Sequence, residues 1–495
     1  MFYPELSEVK VLSQSYNIIP ITMEVYADME TPISLFKRFE DSEFCFLLES
    51  VEGGEKWARY SFIGRNPFIV VKSGSNKNII EDRDGNISIE NGNPIEILKK
   101  LLGKYKGADL PKLPRFNGGA VGFFGYDLIR YYENLPDVPE DDLDIPESHF
   151  MFTDEVIVFD HLKQKIHIIV NLHVEGGNIE RSYKSVIERI KAIYREILSS
   201  RWKIADNFKP EFEAKEKKFS FKSNITKERF CDTVLKAKQY IKDGDIFQVV
   251  LSQRLCVETE QEPFNVYRVL RVINPSPYMY YLKFKDYRIV GSSPEMLVRV
   301  ENGIVETCPI AGTRKRGETR EEDEALEKEL LSDEKELAEH TMLVDLGRND
   351  IGKVSKYGSV AVNNFMHIER YSHVMHIVTN VSGELKDDET PFDALMSILP
   401  AGTVSGAPKV RAMEIIDELE NVKRGPYAGA IGYLSFNGNL DSCITIRTMV
   451  FKDGMAYIQA GAGIVADSVP ENEYEETINK ARALLKALEE VGEMK

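Results

Sequence analysis

Apolar positions along this chain change period repeatedly, and each change marks an element. Residues 44–48 are an apolar run, and 59–71 carry alternating and β-branched residues. Asp84-Gly85, set between extended segments, signals a hairpin. The stretch 118–126, GGAVGFFGY, interleaves glycine with aromatics, as a strand does where backbones approach closely. Residues 137–147, rich in Asp, Glu and Pro, read as a loop. Two further strands are expected at 155–160 and 165–174, then a helix over about 176–199.

The polar, lysine-rich 206–223 has no clear period and reads as a linker or exposed crossover. Beyond it the pattern predicts a helix at 227–243, a strand at 246–257 and a β meander over 278–308, with Asn302-Gly303 as a hairpin turn. An acidic helical region follows at 320–343. A second meander turns at Asn437-Gly438 and Asp453-Gly454, and a last helix covers about 470–491. Alternation through that meander puts Cys443, Thr445, Arg447 and Met449 on one strand face and Ile444, Ile446, Thr448 and Val450 on a core-facing one. Strands and helices do not alternate in strict βαβ order. The expected class is therefore α+β, with large antiparallel β-sheets in a sandwich-like core and helices packed outside. No short-period repeat is visible. The linker divides the chain into portions 1–205 and 224–495.

Composition narrows the function. With 495 residues, 43% hydrophobic and 29% charged, the chain fits a globular protein of about three domain-sized units or one large core. A net charge of −17 without a basic stripe argues against nucleic acid as a partner. An anionic substrate would need a locally positive pocket or a metal. The five cysteines lie far apart with no CxxC, which points to reduced thiols and a cytoplasmic protein. The N-terminus lacks an apolar signal core, and no apolar run is long enough to span a membrane.

Several stretches carry candidate chemistry. Residues 400–420, PAGTVSGAPKVRAMEIIDELE, run from small residues into an amphipathic helix with Pro408 at its first position. Locally this reads first as a glycine turn before a packed helix; its free amides and helix dipole are also suited to an anion. Ser468 and Glu471 have capping-box spacing, and Glu473, Glu476 and Lys480 then share one helix face. Glu476 and Lys480 are either an ordinary ion pair or an acid and an ammonium facing a pocket. Two carboxylates such as Glu339 and Glu476, if brought together, would need a cation between them, and oxygen ligands select magnesium. Arg447 offers a planar fork for a carboxylate and Tyr427 a hydroxyl. The glycines of Ala460–Ile464, AGAGI, let a ligand approach the backbone. His367, His373 and His376 cluster, but lack the partners of a zinc motif; one acid–base histidine is the better reading.

Longer motifs add a resemblance. PIAGTRKRG (309–317), LVDLGRNDIGKV (343–354), PAGTVSGAPK (400–409), GPYAGAIGYLSF (425–436), TIRT (445–448) and AGAGIVADSVPENEYEET (460–477) together resemble the chorismate-utilising enzymes, and among them the large subunits (component I) of anthranilate synthases. The resemblance covers nearly the whole chain. It implies a chorismate site with Mg2+ held by Glu339 and Glu476, with Glu473 close by. It further implies substrate contacts from Gly312, Thr313, Thr403, Tyr427, Arg447, Gly461, Ala462, Gly463 and Lys480. Glu295 would be the acid assisting loss of the C4 hydroxyl, and His376 would serve pyruvate elimination.

Three positions sort the relatives. Isochorismate-forming members resemble this chain but use a lysine base where it has Gln248. Aminodeoxychorismate synthases often carry lysine where it has Ala311. Without a lysine amine, free ammonia is left as nucleophile. An aminodeoxychorismate synthase component I is the alternative within the class, and a catalytically inactive tryptophan-sensing partner the alternative outside it. Leu47-Leu48-Glu49-Ser50 with Arg59-Tyr60-Ser61, and Asn274 through Pro277, Tyr278 and Met279, resemble the tryptophan feedback site of anthranilate synthases. Portion 1–205 would then be regulatory and 224–495 catalytic. No cysteine lies in a glutaminase nucleophile motif, so a separate glutamine amidotransferase subunit (component II) is implied, in a heterodimer or heterotetramer.

Overall fold

The alternating runs pair into two large antiparallel sheets. The computed structural model describes residues 2–51, 59–174, 176–199, 220–371 and 374–493. Among them, one sheet has thirteen strands and the other twelve. Both sheets take strands from the first portion of the chain and from the second. In the first sheet the portions join where Cys45–Glu49 pairs with Tyr278–Lys283. In the second they join where Gly119–Phe124 pairs with Ala430–Ser435.

Period two decides what each face buries. In Glu155–Asp160, Val156 and Val158 enter the core between the sheets, where they meet Val121, Phe123 and Tyr433 of the second sheet. Ile157 and Phe159 face the other way, into a cluster closed by Ile190 and Ile193 of the helix Ile179–Ser199 and by Leu484 and Leu488 of Pro470–Glu493. Each such side chain contributes roughly 1.5–3 kcal/mol by leaving water. The α+β class and the sandwich with outer helices hold as expected.

Several local expectations are corrected. Neither meander stays in one sheet. Tyr287–Ser293 belongs to the first sheet and Met296–Glu301 to the second, so Pro294 and Glu295 carry the chain across. Proline has no N–H for a ladder, which suits the break. Leu440–Ile444 and Thr448–Lys452 are likewise in different sheets, with Arg447 at φ +52° between them. A left-handed residue resets side-chain alternation. The predicted two faces over 443–450 therefore do not exist, and Cys443, Thr445 and Met449 are buried. Residues 59–71 split in the same way around Asn66, at φ +46°.

The acidic region is two helices, Arg320–Leu330 and Glu334–Gly352, the second capped by Asp333. Pro408 is the N-cap of Lys409–Leu419, not its first residue. The expected Ser468–Glu471 capping box is not seen: the helix begins at Pro470, and the Ser468 hydroxyl accepts from Val465 N–H at 3.0 Å. The linker is outside the described residues up to position 219, and Lys222–Ser223 pairs with Leu255 and Cys256. Asn302 and Gly303 have φ +52° and +77°, the paired positive values of the expected hairpin turn.

Candidate active site

The two sheet crossings lie against each other. Ile444 N–H donates to the Glu295 carbonyl at 3.0 Å, and Ser292 N–H to the Arg447 carbonyl at 3.1 Å. Where both chains leave their sheets a cavity opens, with about 1160 Å3 of empty space. It receives Glu295 from one crossing and Arg447 from the other.

Thr403 donates to the Glu295 carboxylate at 3.0 Å. Burial pushes the Glu295 carboxyl up to about 7, with the Thr403 bond and the charge of Lys480 pulling back. His376, on Val374–Glu384, lies opposite Thr313 of Ile310–Lys315. Its Nδ1 is 2.9 Å from the Gly312 carbonyl, a geometry that calls for an Nδ1–H donor and leaves Nε2 as the basic nitrogen. Burial lowers its pKa, which favours the neutral ring.

The last helix and the strand beneath it supply polar groups to the cavity. Lys480 Nζ is 2.6 Å from Glu476 and donates to the Gly461 carbonyl at 2.9 Å. Arg447 Nη1 donates to the Lys480 carbonyl at 2.7 Å, and no carboxylate of the described residues lies within 4.0 Å of its guanidinium. Glu339 projects from Glu334–Gly352 into the same cavity. Burial, with Glu336 and Glu476 nearby, raises its pKa, while Lys335 and Lys480 oppose the rise.

The structure thus gathers Glu295, Thr313, Glu339, His376, Thr403, Tyr427, Arg447, Gly461, Glu476 and Lys480 around one space. Gln248 and Ala311, the positions where relatives carry lysine, line it too. Gly312, Ala462, Gly463 and Glu473 are not among its lining residues. Gly312 instead supplies the carbonyl that orients His376. Ala462 is fully buried. A Cβ at Gly461 would come within 2.7 Å of the Tyr427 hydroxyl, and one at Gly463 within 2.7 Å of Gln248 Nε2. Those glycines make room for protein side chains, which in turn present polar atoms to the cavity. The Glu473 carboxylate is raised by burial and is hydrogen-bonded by Ser468.

Of the 400–420 stretch only Thr403 and Val404 reach the cavity; Gly406 and Ala407 pair with Val249 and Gln248. His367 bonds the Asn364 carbonyl, and His373 is outside the described residues. Sequence reasoning missed Gln459, two residues before Gly461 on the same strand face. It also missed Arg424, whose buried guanidinium ties Val404, Val250 and Glu420 together.

A second cavity, with about 500 Å3 of empty space, lies between the sheets where the two portions join. Leu48, Glu49, Ser50, Pro277, Tyr278 and Met279 all line it. The Glu49 carboxylate accepts from Ser61, from Tyr267 at 2.6 Å and from Arg271 at 3.0 Å. Unforeseen from sequence are Arg115 and Arg299, 3.4 and 3.0 Å from the single carboxylate of Asp441. Two guanidiniums thus meet on one carboxylate in that wall.

Among the described residues, no helix is long and apolar enough to cross a membrane. The chorismate binding enzyme family model matches residues 44–486. Anthranilate synthase component 1 of Acetivibrio thermocellus is 77% identical over 495 residues, covering 100% of both chains. That of Aquifex aeolicus is 51% identical, covering 98% of this chain and 97% of its own. In three dimensions, anthranilate synthase component I from Streptococcus pneumoniae superposes with a TM-score of 0.76 at 42% identity, covering 93% of this chain and 99% of its own. The menaquinone-specific isochorismate synthase from Escherichia coli shares the fold, with a TM-score of 0.70 at 17% identity over 98% of each chain. A family match spanning most of the chain, with relatives of this identity along its whole length, is more than resemblance: the chain belongs to the chorismate-binding enzyme family.

Proposed function

We propose that this chain is the chorismate-aminating component of an anthranilate synthase, converting chorismate and ammonia to anthranilate and pyruvate. The observation that carries the reading is the convergence of Glu295, Arg447 and Lys480 with Glu339 and Glu476 in one cavity. Two cations suit a dicarboxylate within an acidic protein.

Ammonia attacks ring carbon C2, the ring electrons shift, and the C4–O bond breaks. Glu295, held near half-protonation at neutral pH, gives the proton that lets hydroxide leave as water. In the second step His376 Nε2 takes the C2 proton, the enolpyruvyl C–O bond breaks, and that proton ends on the departing pyruvate as the ring becomes aromatic. Arg447 and Lys480 orient the substrate carboxylates, and Tyr427 and Thr403 offer hydroxyls.

The acid pair fits a magnesium ion. Glu339 has its pKa raised partly by Glu476, so the two carboxylates are near enough for a cation to favour both ionised forms. Glu339 and Glu476 would hold it; Glu473 is outside the cavity lining, and among the described residues no group of three or more His, Cys, Asp or Glu side chains forms a metal site. When bound, magnesium supplies charge neutralisation for a substrate carboxylate.

Ammonia would come from a glutamine amidotransferase subunit. Cys45, Cys308 and Cys443 are buried thiols with pKa values pushed up, the reverse of an activated nucleophile. The second cavity is proposed as an L-tryptophan site: Arg115 and Arg299 suit the ligand's carboxylate, and Tyr60, Phe62 and Tyr433 suit its ring. The test is incubation of the pure chain with chorismate, magnesium and ammonium, with product identification by fluorescence and mass, repeated with tryptophan. Anthranilate from ammonium but not from glutamine, suppressed by tryptophan, is expected. An aminated product that keeps its pyruvyl group would overturn the assignment.

A further inference from the structure

Gln459 and Gly461 leave the strand Met455–Ile464 on the same face, and both line the cavity. Gln459 is 7% exposed. Its Nε2 donates to Ser252 Oγ at 2.8 Å. The Ser252 proton is already committed, because Ser252 Oγ donates to Glu420 at 2.9 Å. Glu420 also accepts the Ser252 N–H at 2.7 Å and two bonds from Arg424, at 2.6 and 2.9 Å. Arg424 is 2% exposed, and its other donors go to the carbonyls of Val404 and Val250, each at 2.7 Å.

Each bond in this chain runs one way, from donor to acceptor, and ends on a buried ion pair. The chain therefore fixes the orientation of the Gln459 amide. A flipped amide would set Oε1 against a serine oxygen with no proton to give. Oε1 is the other end of the amide; it is a buried side-chain atom of a cavity-lining residue, and among the described residues it has no hydrogen-bond partner. A buried acceptor in a cavity wall is costly unless some ligand donates to it.

We propose that Gln459 Oε1 holds the ammonia nucleophile, an inference that rests on the amination reading above. The ring acid's two carboxylates are acceptors, and its one hydroxyl is assigned to Glu295. Ammonia, by contrast, carries three N–H donors and one lone pair. A neutral amide oxygen takes one N–H and leaves the lone pair for carbon. A carboxylate in its place would favour ammonium, which has no lone pair to give. In the step itself the lone pair forms the C2–N bond, and water leaves C4 with the Glu295 proton. The surplus proton on nitrogen then returns to Glu295 through solvent. Arg424, Glu420 and Ser252 are positioning residues that act through Gln459.

The test uses the full chain with chorismate, magnesium and varied ammonium. The parent is assayed first: if it makes no anthranilate, the amination reading fails and takes this proposal with it. Given an active parent, Gln459→Met keeps the volume and removes the acceptor. It is expected to raise the KM for ammonium about tenfold, with the KM for chorismate within about twofold. Ser252→Ala, which frees the amide to turn, is expected to raise the ammonium KM by about threefold, again without moving that for chorismate. An unchanged ammonium KM in an active Gln459→Met, or an equal rise in both constants, overturns the proposal. If Gln459→Met does not fold, Ser252→Ala decides, and no change in its ammonium KM overturns it.

Discussion

Replacing Thr403 by valine removes one hydrogen bond from Glu295 and little volume. In the parent that bond, at 3.0 Å, holds the carboxyl down against burial, which has brought it from 4.5 up to about 7. A hydrogen bond to a charged group is worth roughly 1.5–3 kcal/mol. Part of it survives when the carboxyl is protonated, so about 1.4 kcal/mol separates the two forms, or about one pK unit. Glu295 must carry a proton to expel hydroxide, so kcat/KM for chorismate should fall as pH rises through about 7. In Thr403→Val that limb should lie about one unit higher, even though the absolute rate drops. The assay is kcat/KM from mildly acid to mildly alkaline pH, with free ammonia held constant so that its own titration does not shape the curve. A limb that stays in place, or moves down, refutes the reasoning, as does an unchanged limb in Glu295→Gln. The same shift has a stability consequence. A carboxyl raised on folding contributes stability below 4.5 that is lost as pH rises through about 7. Glu295→Gln should therefore gain in Tm relative to the parent at alkaline pH and not at acid pH.

His376→Met should halt after amination: mass spectrometry should find the aminated adduct, with neither pyruvate nor anthranilate fluorescence, and anthranilate at the parent rate would remove His376 from the second step. Ser50→Phe places a ring in the cavity of about 500 Å3 and should raise the tryptophan concentration for half inhibition by about tenfold or more, measured by inhibitor titration. Glu339→Gln removes one of the two carboxylates proposed to hold magnesium, so the magnesium needed for half-maximal rate should rise, and chelation should silence the parent reversibly. Arg424→Met leaves Glu420 as a buried uncompensated charge; denaturant unfolding should show a loss of roughly 3–5 kcal/mol.

How much was legible in sequence follows from which signals are local. Asn302-Gly303 and Asp84-Gly85 demand positive φ within two residues, and both sit at the expected turns. Helix Lys227–Asp243 follows from 3.6-residue spacing. What misled was treating unbroken β patterning as one sheet. Pro294, Asn66 and Arg447 each interrupt an extended run, and nothing local says that the next strand joins a different layer. The same blindness hid Arg115, Arg299 and Asp441, whose meeting depends on that layering.

By itself, then, the sequence determined the element types, the α+β class and, through long motifs, the family and most side chains of the cavity. Only the tertiary structure decided that Glu339 and Glu476, 137 positions apart by subtraction of their numbers, share one space with Arg447 and Lys480. It alone decided, too, which end of the Gln459 amide is oxygen. Turns and helices are specified by contacts within a few residues. A cavity is specified by where two sheets part, and that depends on packing across the whole core.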